Sequence, residues 1–122
     1  MNTTETNKKF AEFLGWKEQT DTTERWFGSF KTKEGIVHRN TNKEPMLFHN
    51  DWNWLMLVAE KIETIETKYG RTFTIDMHRD SVLIFDYGLT INEIVFTEGK
   101  GRLENLYNAC SIFVDWYNNQ KP

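Results

Sequence analysis

The chain reads as an α+β domain: an antiparallel sheet of about five strands, in the order α-β-β-α-β-β-β-α, with two long amphipathic helices packed on it and a short helix at the N-terminus. Three observations lead there. Residues 52–62 and 103–117 repeat apolar side chains at helical spacing and are loaded with aromatic rings. Phe73, Ile75 and Met77 alternate with Thr74, Asp76 and His78, as in a strand with one wet face. Short turn signals, Lys31 to Gly35 and Arg79-Asp80, separate the strand-like runs, which implies antiparallel neighbours.

Residues 1–6 are polar and read as frayed. A short helix is expected over Asn7 to Leu14, with Thr6 as its cap, Phe10, Phe13 and Leu14 on one side, and Gly15 as its stop. Trp16 then folds back on the core. Glu24 to Phe30 reads as a strand with Trp26, Gly28 and Phe30 on one face, and Gly35 to His38 as its short return. A polar loop over 39–49 contains Pro45 and brings Met46, Leu47 and Phe48 inward. Asn50 or Asp51 caps a second helix that runs to Tyr69, its apolar positions at 52, 55, 58, 59, 62, 65 and 69, before Gly70. Val82 to Phe85 is apolar on both faces, as a covered central strand is, and Tyr87-Gly88 breaks it. Ile91 to Thr97 forms the last strand. A loop over 98–101 leads into the final helix, Arg102 to Asn119, striped by Leu103, Leu106, Tyr107, Cys110, Phe113, Val114 and Tyr117.

With 122 residues the chain makes one domain, able to bury roughly two-thirds of its unfolded surface without a staple. Nine Phe, five Trp and four Tyr supply a core at little rotamer cost. The longest apolar run, Leu55 to Ala59, falls far short of the ~20 residues of a membrane span. Met1 to Thr6 shows no basic start and no apolar block, so it does not read as a signal peptide. The single Cys110 has no internal disulfide partner and lies in the apolar stripe of the last helix. These features fit a reducing cytoplasm. Fifteen basic against eighteen acidic side chains lack the excess of a general nucleic-acid binder.

No pattern reads as a catalytic centre. His78-Arg79-Asp80 shares its letters with a kinase catalytic loop, but Phe85 stands where that loop needs Asn and no Gly-rich nucleotide loop exists. Asp76, His78 and Asp80 offer one imidazole and two carboxylates to a metal, fewer than a dedicated site uses, and read better as a solvated, charged strand edge. Neither His38 nor His49 has a nucleophile beside it. Gly99-Lys100-Gly101-Arg102 precedes a helix and could hold a phosphate through backbone amides, Lys100 and Arg102, although it lacks the full NTPase pattern. Lys31, Lys33, His38, Arg39 and Lys43 form one basic cluster near Trp26, Phe27 and Phe30, a combination seen in single-strand binders, diluted here by Glu24, Glu34 and Glu44. Trp52 and Trp54 diverge on a helix, as do Trp116 and Tyr117, so each pair either leaves a ring on the surface for a partner or tucks both rings under loops at the helix ends.

Residues 11–16, the Trp26-Phe27 strand, residues 48–63 and the segments 103–109 and 113–118 resemble small bacteriophage proteins and, more faintly, the phage ABA sandwich domain. The likeness spans most of the chain and brings no catalytic residues or cofactor with it. It implies a non-enzymatic protein that binds and disables host machinery, as anti-CRISPR proteins do. The expected partner is a host defence protein, an RNA-guided CRISPR effector or its guide complex. The expected contacts are Trp52, Trp54, Trp116 and Tyr117 with the basic hairpin of Lys31, Lys33, Arg39 and Lys43. Two alternatives stand beside it: a protein sequestering a small nucleotide at Lys100 and Arg102, and a phage accessory protein whose hairpin touches nucleic acid.

Overall fold

The computed structural model describes residues 3–19, 29–41, 45–87 and 90–120. Helix α1 spans Thr3–Phe13, longer at its start than Asn7 to Leu14. Residues 3–6 are therefore helical instead of frayed. Asn40 Nδ2 donates to the Thr4 carbonyl at 2.9 Å, and Thr6 and Asn7 are buried. A tertiary anchor fixes a terminus that local sequence leaves loose. The helix closes at Gly15, whose φ of 83° suits a residue without Cβ.

Among the described residues, two three-stranded antiparallel sheets stand in place of the single sheet of about five strands. The first joins β1 (Lys17–Glu18), β2 (Phe30–Lys31) and β3 (Val37–His38) in that order. Strand β1 is charged and two residues long, with no alternation to announce it. Of the strand expected over Glu24 to Phe30, only Phe30 carries described strand structure; residues 20–28 lie outside the described part. The β2–β3 turn matches its expected position. Thr32 N donates to Ile36 O at 2.8 Å, Ile36 N returns a bond to Thr32 Oγ1 at 3.1 Å, and Gly35 adopts φ 91°.

Helix α2 covers Trp52–Ile62, with the Asp51 carboxylate accepting from Asn53 N at 2.8 Å. It stops short of Tyr69. Glu63 N bonds Ala59 O, then Thr64 N and Ile65 N turn back to Lys61 O and Ile62 O, a tightened last turn. The chain then reverses through a Glu66–Thr72 bridge and a Thr67 N to Arg71 O bond. Strand pairing claims these β-branched residues, which helices hold less well.

The second sheet runs β4 (Thr74–Met77), β5 (Ser81–Tyr87), β6 (Ile91–Glu98). The Arg79-Asp80 turn lies between β4 and β5 as expected, the pairing sets a strand order that the sequence leaves open, and residues 88–89 lie outside the described part. Helix α3 spans Arg102–Gln120 and packs on β5 and β6. Val82, Ile84 and Val95 are buried beneath it, and Thr97 Oγ1 donates to Asn105 O at 2.8 Å. A bulge between Ile84 and Phe85 shifts the β5–β6 register. One cluster of buried residues unites both sheets and all three helices, drawing in Phe10, Phe30, Phe48, Leu55, Ile84 and Phe113. Each such large side chain contributes about 1.5–3 kcal/mol on burial. No helix among the described residues is long and apolar enough to cross a membrane.

Candidate functional site

The sequence of α2 puts Asn53, Trp54 and Leu57 on the flank that faces the β2–β3 turn. Trp54 does not project freely. Its ring meets His38 edge-on at 4.5 Å, Trp16 at 6.0 Å and Phe48 at 5.2 Å. His38 also stacks on Trp16 at 5.4 Å with an interplanar angle of 28°. Burial lowers the pKa of His38, which favours the neutral imidazole among these rings. This aromatic floor underlies a groove of about 350 Å³ between α2 and the turn. Ile36 and Leu57 stand at its sides, 56% and 45% exposed. A second depression of about 360 Å³ shares Trp16, Glu34 and Leu57 with it and continues along α2 past Lys33, Glu60 and Lys61.

The expected contact residues divide between two places. Trp54 lies on α2 against the hairpin, where Lys31 stands on β2 and Lys33 in the β2–β3 turn, whereas Trp52, 40% exposed on the first turn of α2, lines neither depression. Arg39 is exposed one residue beyond β3, while Lys43 lies outside the described residues. Glu34, Glu60 and Lys61 share this rim, so its charge is mixed instead of basic. Trp116 and Tyr117 belong elsewhere, at the far end of α3. Both are half-buried: Trp116 meets Phe73 at 5.7 Å and Phe113 at 5.6 Å, and Tyr117 lies parallel to Phe113 at 6.1 Å and edge-on to Phe13.

The loop before α3 is built differently from an open phosphate cradle. Gly101 N donates to Asp80 Oδ1 at 2.9 Å, and Gly99 N to Asp80 O at 3.1 Å. Lys100 N donates to Asn105 Oδ1 at 3.2 Å, while Asn105 Nδ2 reaches Asp80 Oδ1 at 3.3 Å. A carboxylate from the β4–β5 turn thus already sits where an anion would dock on the helix N-terminus. The side chains of Lys100 and Arg102 still line a cavity of about 640 Å³, together with His49 and Tyr107.

That same commitment removes Asp80 from any grouping with Asp76 and His78. Those two pair with each other, His78 Nε2 to Asp76 Oδ2 at 3.1 Å, on an exposed strand end. Among the described residues no three His, Cys, Asp or Glu side chains converge on a metal-sized point. Cys110 is fully buried, and burial, followed by the charge of Glu63, pushes its thiol far above the usual range. A thiolate nucleophile there is disfavoured.

Three features escape a reading of the sequence. Trp16 and His38 join Trp54 only through chain reversals that local pattern does not fix. Asp80 looks like an ordinary turn residue. Asp86 is 7% exposed, and its Oδ1 has no hydrogen-bond partner among the described residues. An acid directly after the all-apolar Val82 to Phe85 is the signal that could have found it.

Comparison with protein-family models, with curated proteins and with solved structures gives no match to this chain.

Proposed function

We propose that this chain is a non-enzymatic binding protein that disables a bacterial defence protein, an RNA-guided CRISPR effector or its guide complex, from within the host cell. The observation that carries the binding role is the groove beside α2. Ile36 and Leu57 hold apolar side chains in water on either side of an aromatic floor, an arrangement that a partner's side chain stabilises by covering it. The mixed charge of Lys33, Glu34, Glu60 and Lys61 suits a protein surface better than a polyanion, which a basic stripe would serve. The choice of a defence protein comes from the phage resemblance.

The test is a plasmid-interference assay in bacteria expressing a CRISPR effector together with this chain. Inhibition restores transformation, and Leu57→Glu and Ile36→Glu each abolish the rescue while the melting temperature stays within a few degrees of the parent. A panel of effectors that cleave equally well with and without the chain overturns the assignment of partner. Rescue that persists in both variants overturns the assignment of surface.

A second reading has its own observation. Lys100, Arg102 and the Tyr107 ring do converge on one cavity, as sequestration of a small nucleotide requires. Thermal melts with candidate nucleotides separate the two: a concentration-dependent rise in Tm, lost in Arg102→Ala, favours the nucleotide.

A further inference from the structure

We propose that the cavity between the C-terminal end of α3 and the turn after α2 binds a small organic cation, an alkylammonium or alkylguanidinium, over the Asp86 carboxylate. The cavity holds about 390 Å³, within the range of small-molecule sites (about 300–1,000 Å³). Among the described residues Asp86 is the one buried charged residue of its lining; Glu66 and Lys68 are exposed.

A carboxylate oxygen without a partner is costly in a folded protein, because burial removes water and nothing replaces it. Asp86 lines this cavity at 7% exposure, and its Oδ1, shielded from water, has no partner among the described residues. No ion pair joins Lys68 to it among the described residues. The Lys68 ammonium instead lies 5.2 Å from the centroid of the Tyr69 ring, at the mouth. A cation thus already uses an aromatic face at the entrance, and the charge deeper inside stays unanswered.

The rest of the lining selects the kind of cation. Phe73, Ile94, Trp116 and Tyr117 offer aromatic and aliphatic surface, and Tyr69 adds a ring that is 45% exposed. Trp116 packs nearly perpendicular to Phe73, at 82°. Rings attract a cation through their quadrupole, most strongly tryptophan, and favour ions that shed water easily. A divalent metal is held best by clustered charged donors, and among the described residues no three His, Cys, Asp or Glu side chains converge here. An alkylated ammonium or a planar guanidinium meets both halves of the site: carboxylate on one side, π surface on the other.

The site shares no lining residue with the groove beside α2, so the two proposals stand or fall separately. The experiment is an NMR titration of the full chain, following the Trp116 indole N–H, assigned by its loss in Trp116→Phe. The probes are agmatine, tetramethylammonium chloride and the peptide acetyl-Gly-Arg-Gly-amide, with sodium chloride matching ionic strength. Saturable shifts with agmatine or tetramethylammonium support a free cation as the ligand. Saturation with the peptide alone supports the same chemistry delivered by an arginine side chain of a protein. Asp86→Asn, which keeps the shape and removes the charge, weakens binding at least tenfold. Tyr69→Leu weakens it several-fold, keeps the fold because Tyr69 is exposed, and carries the test if Asp86→Asn does not fold. Leu57→Glu leaves it unchanged. No saturable shift with any of the three probes overturns the proposal. So does an Asp86→Asn protein that binds as tightly as the parent, since Asp86 Oδ1 is then a structural orphan only.

Discussion

Asn7 shows how much a single side chain can hold. It is fully buried on α1 and uses its whole amide: Nδ2 donates to Met46 O at 2.6 Å and lies 3.1 Å from His49 Nδ1, while Oδ1 accepts from the Tyr107 hydroxyl at 3.1 Å. The Tyr107 phenol, which burial pushes up to about 12, stays protonated and keeps donating. One residue thereby ties α1 to α3 and to the loop before α2. Asn7→Ala strands three polar partners inside the protein and is expected to cost about 2–4 kcal/mol, read from urea unfolding. Asn7→Asp keeps the acceptor and loses the donors, so it should also destabilise; a neutral result for both would show the network to be idle. Cys110 gives a second check at this scale. Its thiol is buried with a raised pKa, so iodoacetamide at pH 8 should leave the native protein unlabelled and modify it promptly in denaturant. The position of Cys110 in an apolar stripe makes this inertness legible from sequence. The role of Asn7 is not, because its partners lie far away along the chain and no local pattern names them.

Among elements, α3 is read well and α2 less so, and the contrast has a physical cause. Glycines before α3 and a continuous apolar stripe mark its start and its body. In α2 the helical spacing continues through Ile65 and Tyr69, but Ile65, Glu66 and Thr67 turn back to pair with Phe73, Thr72 and Arg71 before β4. A non-local ladder overrides a local period there. Sheet membership fails for the same reason. Hairpins announce themselves by their turns, yet which hairpin lies beside which depends on the packing of α2 and α3 between them. The N-terminus of α3 carries the prediction proper to this scale. Asp80 acts as its cap from another element, bonding Gly101 N and Asn105 Nδ2. Asp80→Ala is expected to cost about 1 kcal/mol, the usual worth of a partly exposed cap. Asn105→Ala should couple to it in a double-mutant cycle by about 0.5 kcal/mol or more. Strict additivity of the two changes would mean that Asp80 and Asn105 act apart.

The whole molecule sets a long, well-paired sheet against a slight one. Strands β5 and β6 pair over seven positions under α3, whereas β1, β2 and β3 hold two residues each. Both sheets feed one core, so global unfolding should be a single transition, but local opening need not be. Hydrogen exchange should find the amides of Leu83 and Ile84 among the slowest, and those of Lys31 and Thr32 orders of magnitude faster. The groove proposed for a partner is thus floored by the less stable part of the fold, and a partner that covers it should slow the hairpin amides most. Acidity should act on the same region through His38. Burial lowers its pKa below 6.5, so the closed hairpin prefers the neutral ring. Once opened, the imidazole recovers a pKa near 6.5 and takes up a proton below it, so the open state binds more protons than the closed one. Stability of the hairpin therefore falls as pH drops through that value, and exchange of Lys31 and Thr32, corrected for its intrinsic pH dependence, should accelerate. Substitution of His38 by Gln removes the proton and should flatten the response, leaving Leu83 and Ile84 unaffected. A hairpin whose corrected exchange is flat in the parent protein would show that the ring already meets water freely between Trp16 and Trp54.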